Sequence, residues 1–349
     1  MRESYLRETD DVTYDVLTEL SAITDIAEEW NQLLDQSDCN RAFSSAQWFI
    51  ATCRVHPQMK LRVALARRRG EIVGILPLVS ADGGNSVEFP SYLSDYNDVV
   101  VGRADSSVAN GLMLDWIVSS AAEQRPSVLG NLRDDSQCLR ALQALATTGS
   151  VDCVVTQERT CYYASLLSTL DDYLKTRSKV FRKSLGRAWR EAEKNNVGVR
   201  ELDPRTFPHD QLPEVFLGLN FARFGSQSHF GSPAAQAFVK EVFPSLFAQG
   251  RLRAFALFDH ERIIGIDICM TGPNSLCTWN GGFAVDAGRW SPGRLLISEG
   301  IRRAHELNLD EYDFLRGSHY YKARWASGVR VLSKCELRFG DQGKASTAN

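Results

Sequence analysis

Histidine and methionine are scarce in this chain, at six and four residues, and no apolar run approaches the ~18–20 residues that a membrane-spanning helix needs. The eight cysteines, Cys39, Cys53, Cys138, Cys153, Cys161, Cys269, Cys277 and Cys335, contain no C-x-x-C pair and no metal-ligand spacing with histidine. A zinc site or a thioredoxin-like redox centre is therefore not expected. Several sit in apolar surroundings such as Ile268-Cys269-Met270, where a reduced thiol packs as a small hydrophobe. Charge of one sign is also missing: 40 Lys and Arg stand against 43 Asp and Glu, for a net charge of −3. No whole-protein field draws such a chain onto DNA or an anionic membrane. The opening Met1-Arg2-Glu3-Ser4-Tyr5 lacks the apolar core of a secretory signal. The expectation is a reduced cytoplasmic protein with no membrane span and no metal.

What the chain does have is length and a repeat. Its 349 residues, 44% hydrophobic and 24% charged, exceed one ordinary core and predict two domains. Leu61-Arg62-Val63-Ala64-Leu65-Ala66 and Ile72-Val73-Gly74-Ile75 read as strand, turn, strand. Leu252-Arg253-Ala254-Phe255-Ala256-Leu257 and Ile263-Ile264-Gly265-Ile266 read the same way. Each hairpin follows a helical pattern opened by serine, after Phe43-Ser44-Ser45 and after Phe230-Gly231-Ser232-Pro233. Each precedes a helix opened by glycine, at Gly111 or Gly293, and a strand ending in Asn131-Leu132-Arg133 or Phe314-Leu315-Arg316. The shared order predicts duplication of one α/β unit, with domains at 1–160 and 161–349. A basic helix at about 172–196 breaks the symmetry. There Phe181, Leu185, Ala188 and Ala192 share one face, and Lys179, Arg182, Lys183 and Arg187 lie off it.

Two further segments carry candidate chemistry. Trp290-Ser291-Pro292-Gly293-Arg294-Leu295 follows a strand and opens a helix. Uncovered N–H groups at such a start, with Arg289 and Arg294 nearby, suit a phosphate; the alternative is an ordinary capped start. Tyr312-Asp313-Phe314-Leu315-Arg316-Gly317-Ser318-His319-Tyr320-Tyr321-Lys322 ends a strand in a crowd of polar groups, as ligand sites at the mouth of a sheet do. A tyrosine there could protonate a leaving thiolate and Lys322 could pair with an anion. The alternative is a surface cluster.

Taken in order, Ser178-Lys179 with Arg182-Lys183, then Ser291-Pro292-Gly293, then Tyr312-Asp313-Phe314 with Gly317, Tyr321-Lys322 and Trp325, resemble the BioF2-like and CelD-like branch of the GNAT acetyltransferase superfamily. The match is best from Arg177 to Trp325, and weaker through Phe43, Trp48, Gly74-Ile75-Leu76-Pro77-Leu78 and Asp95-Tyr96-Asn97-Asp98. Tandem domains of this kind also resemble the Fem-type transferases. The resemblance implies an α/β fold of two tandem GNAT-like domains, a sheet with flanking helices, the second domain carrying the basic helical insertion. It implies direct attack of an amine on a thioester, with acyl-CoA or a carrier-bound acyl group as co-substrate. The usual phosphate loop is incomplete, because counting from Arg289 puts Pro292 and Arg294 where glycines are expected.

The candidate residues follow from these segments. Tyr321, Asp95, Asp98 and Asp267 are the candidate acid and bases. Ser291, Gly293, Arg294, Leu295 and Arg289 are the candidate donor site. Tyr96, Asn280, Arg316, His319, Lys322, Trp325, Lys179, Arg182 and Lys183 are the candidate substrate contacts. Asp267 stands inside the apolar Ile266-Asp267-Ile268, so it either faces a cleft or lies on the strand's wet face. The leading expectation is an N-acyltransferase moving groups other than aminoacyl to an amine of a small molecule, sugar or lipid in biosynthesis. The alternatives are an aminoacyl-tRNA-dependent transferase, which the basic helix favours, and a GNAT-fold binding protein without chemistry.

Overall fold

The computed structural model describes residues 12–81, 86–122, 127–147, 152–166 and 169–338. In chain order the elements are β1 (Val12–Leu17), α1 (Leu20–Asp25), α2 (Ala27–Asp35), α3 (Ala46–Val55), β2 (Lys60–Arg68), β3 (Glu71–Ala81), β4 (Ser86–Glu88) and β5 (Val100–Val101). There follow α4 (Ser106–Ala122), β6 (Ser127–Arg133), α5 (Gln137–Thr147), β7 (Asp152–Ser165), α6 (Leu170–Lys175), α7 (Lys179–Lys194), β8 (Val197–Glu201), α8 (Gln211–Phe224) and α9 (Pro233–Ala248). The last are β9 (Leu252–Asp259), β10 (Arg262–Thr271), β11 (Ser275–Phe283), α10 (Pro292–Glu306), β12 (Glu311–Arg316), α11 (Tyr320–Trp325) and β13 (Gly328–Arg338). This is a mixed α/β fold of sheet flanked by helices.

The chain divides into two compact units discontinuously, where the sequence suggested one break near residue 160. Unit 1 takes residues 1–39, 57–158 and 332–349, and unit 2 takes 40–56 and 159–331. Segment 40–56 thus belongs to unit 2, although it precedes the first hairpin in the sequence. The reason is aromatic: Trp48 of α3 meets Phe238 of α9 edge-on at 4.9 Å and Trp279 of β11 at 5.8 Å. Such pairs add ~0.5–1.5 kcal/mol each beyond area burial.

In unit 1, β1, β2, β3, β4 and β6 lie in that order, with residues Leu332–Leu337 of β13 antiparallel to β6. The core lies between this sheet and α4 and α5, around Leu76, Leu112, Leu129 and Leu142. Cys153 and Cys335, 182 residues apart, form a disulfide in this unit. That corrects the expectation of reduced cysteines throughout, since the pairing depends on strand placement and leaves no local motif. In unit 2 the order is β7, β12, β11, β10, β9, β8. Phe255, Leu276, Leu295, Ile301 and Phe314 pack between strands and α10, and Phe181 and Leu185 bring α7 onto the same core.

The repeat holds in detail. In the first hairpin Ala66 pairs with Gly74 and Arg67 with Ile72, so Val73 is skipped. In the second, Leu257 pairs with Gly265 and Phe258 with Ile263, so Ile264 is skipped. The glycine after each bulge sits where a helix leans on the sheet: a Cβ on Gly74 would meet Val108 and Leu112 of α4, and one on Gly265 would touch Leu296 of α10. The helix starts are less alike. Gly111 lies inside α4, which opens at Ser106, and its missing side chain leaves room for the Tyr14 hydroxyl.

Candidate active site

β11 and β12 are parallel neighbours, yet they pair only where Ser275–Cys277 meet Glu311–Asp313. Beyond that, β11 continues to Phe283 against β10 and β12 continues to Arg316 against β7. Both strands are irregular there: β11 skips Trp279 in its pairing with β10, and Leu315 of β12 takes a left-handed φ of 58°. The sheet of unit 2 therefore opens between two parallel strands toward their carboxyl ends, the place where α/β folds receive ligands.

At the root of this opening Asp267 is almost enclosed, with 7% exposure. The Thr278 hydroxyl lies 3.0 Å from each of its carboxylate oxygens. The Cys269 Sγ and the Tyr312 hydroxyl each approach Oδ2 at 3.5 Å. Burial pushes Asp267 up to about 6, against the pull of those donors and of the Arg223 charge. Burial also holds the Cys269 thiol and the Tyr312 phenol well above their ordinary values, so both remain protonated donors. The arrangement can hold a carboxylate poised to take a proton near neutral pH. Thr278, Tyr312 and Arg223 do not appear among the residues expected from sequence as acids, bases or ligand contacts. Tyr312 lies within a motif the sequence singles out, whereas Thr278 and Arg223 stand in ordinary strand and helix patterns.

Tyr321 lies in the first turn of α11 with its ring half in solvent, stacked on His319 at 6.1 Å between centroids. Partial burial and then the Asp267 charge push its phenol up to about 12, with Arg223 opposing. It is a proton donor at any working pH. Asn280 is half-buried on β11 at the pair position of Ile268, so the register does not bring it onto the sheet face that carries Asp267.

Other residues of the closing turn are structural. Lys322 is 6% exposed, and its ammonium donates to the Arg316 carbonyl, so it ties α11 to the end of β12 and is not held out to an anion. Trp325 is buried edge-on against Phe181 at 4.7 Å, and its carbonyl accepts from the Tyr173 hydroxyl at 2.5 Å. It is core, not a substrate contact. Arg316 contributes that accepting carbonyl, and Tyr320 is exposed.

The start of α10 is barer than a capped start. Ser291 takes a left-handed conformation, φ 55° and ψ 52°, and its side chain caps nothing. Arg294 and Leu295 both donate their N–H to the Ser291 carbonyl, at 2.9 and 3.4 Å. Pro292 has no N–H, so the amide of Gly293 is the donor left over, and a Cβ at Gly293 would meet nothing within 4 Å. Leu295 is wholly buried, which leaves its side chain no part in a donor site. Arg294 reaches Ser184 of α7 at 2.6 Å, and Arg289 lies over the Trp290 ring at 4.7 Å.

Helix α7 is capped by Ser178, whose hydroxyl accepts from Phe181 N–H. Lys179, Arg182, Lys183 and Arg187 are exposed. None of the four has an ion-pair partner among the described residues. A cavity of about 430 Å³ lies among α6, α7 and α10, with Leu174, Arg182, Leu185, Trp189, Ser298 and Arg302 in its wall. None of the Asp267 cluster lines it.

Asp95, Tyr96 and Asp98 belong to unit 1. Asp98 accepts from the backbone N–H of Val99, Gln137 and Cys138 at 2.9, 3.0 and 2.8 Å, so it caps α5 from across the chain. Burial pushes it up to about 7 against those three donors. Its carboxylate is taken up by the fold and is a poor base for a substrate. Tyr96 is buried beneath the Arg133 guanidinium, 5.4 Å from its ring, and Asp95 is buried beside it in sequence.

Solved structures share the fold across nearly the whole chain. FemX aligns with a TM-score of 0.62 at 13% identity, over 94% of this chain and 98% of its own. A conserved protein of unknown function from Bacteroides thetaiotaomicron aligns at 0.61 and 11%, over 94% and 100%. L-PGS from Bacillus licheniformis aligns at 0.59 and 10%, over 88% and 90%. At these identities the likeness is one of fold. No curated protein matches the sequence. Residues 179–323 match the model of the acetyltransferase (GNAT) domain, and that segment, from the first turn of α7 to α11, is a GNAT-type acetyltransferase domain.

Proposed function

We propose that unit 2 is an N-acyltransferase that moves an acyl group from a thioester, acyl-CoA or carrier-bound, to an amine. The observation that carries this reading is Asp267, a buried carboxylate at the root of the β11–β12 opening whose affinity for a proton is raised to about 6. The amine nitrogen attacks the thioester carbonyl carbon and gives its proton to Asp267. The carbon–sulfur bond breaks, and the departing sulfur takes a proton from Tyr321. The Gly293 amide and the exposed start of α10 receive a donor phosphate, and Ser184, bonded to Arg294, brings the cationic face of α7 to the same region. The order of the basic helix, the Ser-Pro-Gly start and the Tyr-Lys close supports the BioF2-like and CelD-like branch.

Transfer from a charged tRNA is the second reading, favoured by the four exposed cations of α7 that lack ion-pair partners. The test of the first is thiol release from acetyl-CoA and longer acyl-CoAs with a panel of amines. Turnover that falls ~10²–10⁴-fold in Asp267→Asn, the range for a general base, supports it. Unchanged turnover in that variant removes Asp267 from the chemistry.

A further inference from the structure

The Arg223 guanidinium bonds to neither Asp267 nor Tyr321, and it lies against β11 at Phe283, two residues beyond Gly281, the pair partner of Asp267. It lies over two rings, 4.4 Å from the centroid of Phe283 at the end of β11 and 4.7 Å from that of Phe224. Among the described residues no carboxylate pairs with it. Its charge is nevertheless felt at both functional groups of the opening, since it pulls down the proton affinity of Asp267 and of Tyr321.

The position is built, not incidental. Asn220, one turn earlier on α8, is 1% exposed and donates its amide to the Gly281 carbonyl of β11 at 3.0 Å. Ser228 returns a hydroxyl to the other end of that amide at 2.7 Å. A Cβ on Gly282 would strike the backbone of Leu219 and Asn220 at 2.3 Å, so the glycine lets α8 lie against the strand. Gly225, at φ 53°, then ends the helix directly after Phe224. Helix, strand and cap together fix where Arg223 begins.

A guanidinium backed by rings and left without an internal carboxylate is suited to an external one, which it meets through two parallel N–H bonds. The neighbouring groups say what else that molecule carries. An amine that gives its proton to Asp267 while presenting an anion to Arg223 has both charges on one small body. We propose that Arg223 recognises a carboxylate on the acceptor, so that the substrate class is an α-amino acid or a molecule ending in one. This rests on the acyl-transfer reading above.

The experiment compares acceptors in pairs, each α-amino acid against its α-amide, with thiol release from acyl-CoA as the readout and acceptor binding to the enzyme alone by NMR as a second. In wild type the acid should exceed the amide in kcat/KM by about 10- to 100-fold, the worth of one charge-assisted pair. In Arg223→Gln that ratio should collapse toward 1, and Arg223→Lys should keep part of it. Because Arg223 is largely exposed, the fold tolerates either change, and the wild-type ratio needs no variant. Amides that serve as well as acids in wild type, or a ratio unmoved in Arg223→Gln, overturn the proposal while leaving acyl transfer intact. Thiol release with no amine at all removes the parent reading instead; binding of acids but not amides, lost in Arg223→Gln, would still identify the carboxylate site.

Discussion

The Thr278 hydroxyl sits 3.0 Å from both oxygens of the Asp267 carboxylate, a diagonal contact between neighbouring strands in which Asp267 pairs with Gly281 and Thr278 with Cys269. One hydroxyl proton cannot satisfy two oxygens fully. Cys269 and Tyr312 stand farther off, at 3.5 Å. The carboxylate is therefore held in place but under-solvated, which is why burial outweighs hydrogen bonding and its proton affinity rises.

That imbalance has a thermodynamic signature. The folded-state value of Asp267 is raised from 3.8 to about 6, so between those values the native protein holds a proton that the unfolded chain has lost. Stability contributed by this group is full below the lower value and lost as pH rises through about 6. Above it, the native state bears a cost on the order of 3 kcal/mol. Asp267→Asn should therefore lower turnover by ~10²–10⁴-fold and yet melt higher than wild type at pH 8, with the advantage shrinking toward pH 4. Thermal melts across that range, alongside kcat/KM profiles whose limb near 6 disappears in the variant, check both halves. A variant that is destabilised at every pH would show that Asp267 serves the fold.

Tyr321 makes a kinetic prediction. Its phenol, pushed up to about 12, keeps its proton through any practical assay. Tyr321→Phe should lower kcat by ~10²–10⁴-fold if that proton goes to the departing sulfur, with donor affinity within about twofold by the same logic. The defect should shrink for aryl thioesters, whose thiolates leave without help. A defect of equal size for alkyl and aryl donors would place the acid elsewhere, with Tyr320 next to examine.

The duplicated hairpins were legible in the sequence because apolar strands flanking a polar turn leave the same short pattern twice, whereas the skipped residues Val73 and Ile264 emerge only from the strand pairing. The serine caps at Ser45 and Ser232 and the inward face of α7 were legible for a similar reason, since capping and helical spacing are local. The site was legible only in part. Asp267 stood out as a charge inside an apolar strand. Lys322 and Trp325 misled, because a motif gives residue types but not whether a side chain turns inward onto the Arg316 carbonyl or the Phe181 ring. Asp98 misled likewise: its partners, Gln137 and Cys138, lie in a helix far along the chain. The Cys153–Cys335 pairing depends on two distant strands and has no sequence signature.

Gly293 separates binding from folding. A side chain there would meet nothing within 4 Å, so Gly293→Val should shift stability by less than about 1 kcal/mol, the usual size for substitutions clear of packed groups. The same side chain would stand over the one uncommitted amide of the helix start and keep a phosphate away. Affinity for acetyl-CoA, measured by calorimetry, should fall at least about tenfold, as expected when a charge-assisted bond is lost, with Gly293→Ala between the two. A Gly293→Val protein that folds well and binds acetyl-CoA normally would move the donor site off α10.

The cations of α7 decide between the two donors. Lys179, Arg182, Lys183 and Arg187 are exposed on one helix, more positive charge than the few phosphates of a single CoA require. If the donor is a charged tRNA, each phosphate contact releases condensed counterions, and affinity falls steeply with salt. For 6–10 duplex contacts the loss is roughly 10³–10⁵-fold between 50 and 200 mM, and less for single strands. A free thioester held mainly at the Gly293 amide should respond weakly, because one or two phosphate contacts give a shallow slope. The measurement is affinity for acetyl-CoA and for aminoacyl-tRNA across a salt series, in wild type and in Lys179→Glu/Lys183→Glu. Arg294 is anchored through Ser184 on the same helix, so reversal should stop short of that residue to leave the start of α10 undisturbed. The expected result is acetyl-CoA binding with a shallow salt slope that the double reversal barely alters. Steep tRNA binding that the reversal flattens, with no measurable affinity for acetyl-CoA, would instead make this an aminoacyl transferase.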